Sequence, residues 1–428
     1  MSAAAQAVAA AHRAHWCTVL AATVGVTRDL SLAEDAVQDA YTQALTAWGQ
    51  DGVPTNPGGW LATAARRRAL DVVRREGNLR RKLPLLVWDS DPEEHRKASR
   101  QDQQIDDEAA PVVLDEQLRL IFLAAHPALA PTARVALTLR LVGGLTTAQI
   151  AEAFLVSEST MAARLTRAKK RIAISRMPCR VPGDADLGDR LDVVLDVISV
   201  LLAAGQKGPD PRSSPEAKAG PELIDVALRM LEALVDLLPG HTEPQGLLAQ
   251  ALVLSARGGT RRDHRGWPVP LAEQDRSAWN WTMIERADLL LRQALAQGGR
   301  GPYLIHGAIS TTVAYPRSHD QVDWAEVVEL YDLLLGHWPT PIVRLGQAVA
   351  IAECDGAQTA LERIDDLAEA LASHRQFHVI RGHLLRTLGE HQAASLAFQA
   401  ALDLSGEDAQ AGLLQELKRT SIAQTGWP

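Results

Sequence analysis

Residues 145–172, LTTAQIAEAFLVSESTMAARLTRAKKRI, decide how the rest of the chain is read. Thr146 or Thr147 is placed to cap a short helix ending at Phe154, and Ser157 to cap a second one. A hydroxyl in that position accepts from the free N–H groups of a first turn. Leu155 and Val156 form the tight turn between them. In the second helix Met161, Leu165, Ala168 and Ile172 recur at helical spacing and so face a core. Ser157, Ser159, Thr160, Arg164, Arg167, Lys170 and Arg171 fall outside that stripe, hydroxyls at the cap and guanidinium groups further down. Such a face suits the edges and phosphates of a major groove. The spacing predicts a helix-turn-helix with these seven residues as DNA contacts. An ordinary helical hairpin with a solvated basic face has the same pattern, so the remaining sequence has to decide.

A second basic segment lies upstream. After a loop rich in Gly, Pro and Asn (GQDGVPTNPGG), Trp60 opens the helix WLATAARRRALDVVRRE. Leu61, Ala64, Ala65, Leu70 and Val73 are expected to form its buried stripe. Arg66, Arg67, Arg68, Arg74 and Arg75 lie largely outside it, with Arg80, Arg81 and Lys82 beyond. This density exceeds what solubility needs, and phosphate contact is its natural use. Trp60 either stacks on an unpaired base or seals the helix start as a core residue. The preceding helical segment, LAEDAVQDAYTQALTAW, places Ala36, Val37, Ala40, Tyr41, Ala44, Leu45 and Trp48 on one side. Glu34, Asp35, Gln38 and Asp39 gather near its start, as the helix dipole favours and as a docking face for a basic partner requires.

The totals agree with a two-part molecule. The chain has 428 residues, enough for two or three domains with cores of their own, and its Ala- and Leu-rich composition with four Phe and four Tyr favours helices. The fold class is all-α. Residues 1–180 hold 23 Lys and Arg against 19 Asp and Glu, whereas residues 181–428 hold 21 against 33. A nucleic-acid-binding half joined to an acidic one is the expectation. Three scattered cysteines make neither a disulfide framework nor a zinc knuckle, and His12, His15 and Cys17 read as surface residues of a helix rather than ligands. No basic leader or uninterrupted apolar span marks export or a membrane, so a cytoplasmic protein is expected. No catalytic constellation or cofactor motif emerges, and binding rather than enzymatic chemistry is the trade predicted.

Domain boundaries follow from composition. Residues 1–82 form one helical domain, 83–111 an acidic linker, 112–178 a second domain containing the helix-turn-helix, and 185–428 a helical extension. Residues 205–221 (GQKGPDPRSSPEAKAGP) read as a further loop. Near the C-terminus, Gly382, Leu385, Gly389, Ala394, Phe398 and Ala401 alternate small and large residues as in a tetratricopeptide-like helix pair.

With both basic segments in order, the chain resembles the bacterial RNA polymerase sigma factors of the extracytoplasmic-function group. AEDAVQDAYTQAL is similar to their polymerase-docking helix, NPGGWLATAARRRALDVVRRE to the segment that opens the -10 promoter element, and LTLRLVGGLTTAQIAEAFLVSESTMAARLTRAKKRI to the domain that reads the -35 element. HPALAPTARVALTLRL, LAEQDRSAWN, GPYLIHGAI and DWAEVVELYDLLL resemble a subgroup with a long tetratricopeptide-like extension. The resemblance implies core RNA polymerase and promoter DNA as partners and a regulatory partner for the extension. It implies polymerase docking through Glu34, Asp35, Gln38 and Asp39. It also implies a pocket near Asn56 and Trp60 for an unstacked base, and no cofactor. Ala162 and Ala163 stand where many relatives carry polar groups, so base reading rests on Ser159, Thr160 and Arg164. Two rival readings are a dimeric helix-turn-helix regulator that needs no polymerase and a helical-repeat adaptor.

Overall fold

The computed structural model describes residues 2–27, 29–82, 109–154, 156–175, 177, 181–206, 219–265, 267–404 and 409–424. Most of the 83–111 segment, most of the 205–221 loop, and Leu155 of the tight turn lie outside them. The described residues are mostly helical, as the composition predicts, and fall into two compact units, one made of those up to Gln206 with 219–226, the other of those from 227 onward.

The first unit starts with α1 (Ala3–Thr27), α2 (Leu30–Asp51) and α3 (Pro57–Lys82), which pack on one another. Asp29 caps α2 by accepting from Ser31 N and Leu32 N at 2.8 and 3.0 Å. The apolar side of α2 is buried as expected, except that Leu45 is exposed. The stripe of α3 is narrower than its sequence suggests. Leu61, Ala65 and Ala69 are fully buried, Ala64 and Leu70 half-buried and Val73 exposed. Small alanines let α3 lie close against α1 and α2, which leaves the bulkier residues at the rim.

Then come α4 (Ala109–Ala124), α5 (Pro131–Leu141), α6 (Thr147–Ala153), α7 (Glu158–Ile174) and α8 (Asp184–Gln206). Pro131 opens α5, where its missing N–H is harmless. Thr146 and Gln149 satisfy each other's backbone N–H groups before α6, at 3.2 and 2.8 Å, a reciprocal capping box. Ser157 Oγ accepts from Thr160 N at 3.2 Å, and Met161, Leu165, Ala168 and Ile172 are the buried residues of α7. This is the cap and the stripe read from the sequence.

Two boundaries differ from the compositional ones. Residues of both expected N-terminal domains belong to one compact unit, with α4 lying against α1. Helix α8, assigned above to the extension, packs on α4 and α5: Arg190 Nη2 donates to Phe122 O at 2.7 Å and its guanidinium lies over the Phe122 ring. Asp192 and Asp196 interrupt the hydropathy of α8, but its other face, Leu191, Val194, Leu195 and Ile198, is buried.

In the second unit, α10 (Thr242–Ala256), α11 (Trp281–Ala296), α12 (Pro302–Ala314), α13 (Trp324–His337), α14 (Pro341–Cys354), α15 (Ala357–Asp365), α16 (Arg375–Thr387), α17 (His391–Asp403) and α18 (Ala409–Gln424) pack neighbour on neighbour. Helices α10 and α12 cross backbone to backbone. A Cβ on Gly246 would sit 2.3 Å from Leu304 Cα, so only glycine fits. At the α16–α17 crossing, a Cβ on Gly382 would meet Phe398 at 2.6 Å, which is the small-against-large spacing noticed in the sequence.

Candidate nucleic-acid interface

Helix α7 presents its polar side to solvent. The hydroxyls of Ser157, Ser159 and Thr160 are linked at 3.0 and 2.8 Å into one exposed group at the helix start. The helix dipole leaves this end electropositive, as suits an incoming phosphate or base acceptor. Arg167, Lys170 and Arg171 are exposed below it. Arg164 is half-buried, its guanidinium 5.7 Å from the centre of the Phe154 ring. Thr166, which the sequence reading passed over, is exposed on the same helix.

Helix α3 is arranged differently. Asn56 Oδ1 accepts from Gly59 N at 2.9 Å, so its side chain caps the helix. Trp60 is half-buried and edge-on to Trp48, with ring centres 5.7 Å apart, so it seals the helix start. Arg67, Arg74 and Arg75 are exposed and Arg66 half-buried. Arg68 Nε donates to Asp39 Oδ2 at 2.6 Å, with both side chains about half exposed. Of the acidic group on α2, Asp35, Gln38 and Asp39 are exposed and Glu34 is buried.

Glu34 has two cationic partners from the second half of the unit. Arg140 Nε donates to its Oε1 at 2.9 Å, and Lys169 of α7 pairs with its other oxygen. Arg140 also donates to Leu145 O at 3.0 Å, which ties this pair to the start of the helix-turn-helix. Nearby, the Trp16 indole donates to Leu141 O at 3.1 Å, and Gln117 bonds Thr18. His12 packs at a tilt against the Trp16 and Tyr41 rings, and burial together with Arg140 and Arg13 lowers its pKa. A cleft of about 1130 Å³ beside this contact is lined by Asp29, Arg119, Lys169 and Lys170 among apolar residues. The signal for the contact was present in the sequence: Arg140 is a lone charge in the apolar run LTLRLV.

Residues 13–78 match Sigma-70 region 2 and residues 119–172 match Sigma-70 region 4. The chain thus carries both sigma-70 regions, 2 and 4. In this sigma factor α1–α3 are the region 2 domain and α4–α7 the region 4 domain, and neither is an enzymatic domain. Together they imply binding of core RNA polymerase and promoter DNA. Residues 190–295 match a family of unknown function, DUF6596. An uncharacterized protein, R00370, of Rhizobium meliloti (strain 1021) is 36% identical over 389 residues, covering 91% of this chain and 89% of that protein. A probable ECF RNA polymerase sigma factor, SigI, of Mycobacterium tuberculosis (strain ATCC 25618 / H37Rv) is 30% identical over 176 residues, 41% of this chain and 57% of the relative. Among the described residues, no helix is long and apolar enough to cross a membrane.

Proposed function

We propose that this sigma factor belongs to the extracytoplasmic-function group and directs core polymerase to promoters read in two places. The exposed hydroxyl and basic face of α7 contacts the -35 element, through Ser157, Ser159, Thr160, Arg164, Arg167, Lys170 and Arg171. The exposed arginines of α3 hold phosphates around the -10 element. The observation that carries this reading is the pairing, in one chain, of two helices that each offer a basic face to solvent; a dimeric regulator has little use for the second. The likeness to a probable ECF sigma factor over 176 residues supports it.

Polymerase docking uses the exposed Asp35, Gln38 and Asp39 of α2. Glu34 joins them only when Arg140 and Lys169 release it, so docking through Glu34 competes with the contact between region 2 and region 4. The acidic extension acts as a built-in regulator or a platform for a regulatory partner, and its successive helix pairs suit a tetratricopeptide-like role. The test is co-purification with core polymerase followed by promoter melting and run-off transcription on a matched template. Retention by core and promoter-directed transcripts are expected. Specific binding of duplex DNA by a dimer without core would overturn the reading in favour of an ordinary regulator.

A further inference from the structure

The connection between α10 and α11 gathers arginines outside the segments that match region 2 and region 4. Arg257 follows the last residue of α10, a 3-10 turn covers Gly258–Thr260, and an antiparallel bridge between Arg262 and Pro268 returns the chain toward Gln274, Arg276 and Trp279. Arg257 Nε and Nη2 both donate to Gln274 Oε1, at 3.2 and 3.1 Å, and Gln274 is fixed in turn by its bond to Val269 O at 2.8 Å. Arg276 is 6% exposed. Its Nη1 donates to the Val313 and Pro316 carbonyls at 3.1 and 2.8 Å, whereas its Nη2 is buried without a hydrogen-bond partner. The guanidinium carbons of Arg257 and Arg276 lie 5.3 and 4.7 Å from the centre of one ring, Trp279, whose indole N–H is tied to Thr260 Oγ1 at 2.8 Å.

A guanidinium keeps its charge at neutral pH. The hydrogen-bond and ring partners of Arg257 and Arg276 named above are neutral: an amide oxygen, two carbonyls and an indole face. Burial, then Arg261 and Arg276, push Arg257 down to about 10, a sign of positive charges held close together, Arg276 buried and Arg257 half-buried. Asp320 acts on Arg276 in the opposite sense, through space. Buried like charges met mainly by neutral acceptors are costly until a counter-charge arrives. An arginine that only braced a loop would end its donors on acceptors, and Arg276 Nη2 ends on none. Nothing lies within 4 Å of where side chains on Gly258 and Gly259 would begin, so the turn that follows Arg257 is open to solvent.

We propose that Arg257 and Arg276, which share the Trp279 ring, form a site in the extension for a compact oxyanion, a phosphate or a phosphomonoester. Forked guanidinium donors suit such oxygens. The site stands whether or not the extension regulates transcription.

Calorimetric titration of the full chain with inorganic phosphate and with O-phosphoserine, against chloride at equal ionic strength, tests it. Saturable binding is expected, weakened about tenfold or more by Arg257→Gln and by Arg276→Gln, the loss of one charge-assisted bond being worth about that factor. Arg257→Lys keeps the charge without the fork and should fall between. Arg292→Gln, on an exposed residue paired with Asp288, should bind as the parent does. Because Arg276 also holds the end of α12, the Arg257 variants decide if Arg276→Gln fails to fold, and thermal melts report that. Preference for O-phosphoserine assigns a phosphomonoester, and equal or weaker binding assigns free phosphate. No saturable binding of either probe, or undiminished binding by a folded Arg257→Gln chain, overturns the site.

Discussion

Helices α3 and α7 carry the same expectation, a basic face for nucleic acid, and meet different neighbours. In α7 the buried stripe and the cap are separate from the polar face, and of its basic residues Lys169 and Arg164 reach other elements, whereas Arg167 bonds only the Ala163 carbonyl of its own helix among the described contacts. In α3, Asn56 caps the helix, Trp60 packs on Trp48, and Arg68 pairs with Asp39 of α2. A basic helix is therefore not uniformly available to DNA, and each residue's neighbours decide its share.

Core substitutions should separate the two helices most strongly. Leu165 is 5% exposed, so Leu165→Ala should cost about 2–5 kcal/mol of stability, through lost burial and a residual cavity. Val73 is 41% exposed, and Val73→Ala should stay within about 0.5 kcal/mol. Urea unfolding of both variants measures the contrast. Equal losses would mean that α3 depends on a wider buried stripe than the one observed.

The next effect in size concerns the ion cluster that joins α2 to α7. Glu34→Gln leaves Arg140 and Lys169, 16% and 23% exposed, without their carboxylate. The partial exposure of both cations limits the loss to about 2 kcal/mol, below that of a fully buried pair. If the cluster holds region 4 against region 2, the same substitution should also tighten binding to core polymerase. Weaker binding with unchanged stability would instead mean that the carboxylate serves docking alone and that the Arg140–Lys169 cluster does not restrain region 4.

How much of this was legible follows from the range of the forces involved. The caps at Thr146 and Ser157 and the Met161–Leu165–Ala168–Ile172 stripe depend on residues three or four apart, so sequence spacing specifies them. Glu34 and Arg140 are over a hundred positions apart, and Asp39 and Arg68 nearly thirty; their pairing depends on how helices pack, which no local pattern states. For the same reason the packing of α8 on α4 and α5 was not legible. Its two aspartates stood out, whereas the partner of its apolar face, α4 and α5, lay far upstream.

Acidification probes the α1–α5 contact with a smaller effect. Burial, Arg140 and Arg13 hold His12 below its usual 6.5, so the unfolded chain takes up a proton near that pH which the folded unit refuses. The sign follows from linkage: the folded state binds fewer protons, so stability is full above 6.5 and falls as pH is lowered through and below it. Melting temperatures from pH 8 to 5 should fall less steeply in His12→Gln than in the parent. Parallel slopes would show that His12 titrates the same way folded and unfolded.

The smallest effects are expected at the phosphate contacts themselves, and these test the comparison most directly. Arg75 is exposed, and no hydrogen bond or ion pair between it and another side chain appears among those described; Arg68 shares its charge with Asp39 at 2.6 Å. Each phosphate contact removed should lower the slope of log binding constant against log salt by about one for the holoenzyme on its promoter. Arg75→Gln should show that full change. Arg68→Gln should show less, because the parent must first loosen the Asp39 pair to reach DNA. Asp39→Asn separates the two roles of that pair: freeing Arg68 should steepen the salt dependence, and losing a docking carboxylate should weaken core binding at every salt concentration. A salt slope unchanged by all three substitutions would remove α3 from the DNA-contacting surface and leave α7 as the DNA reader.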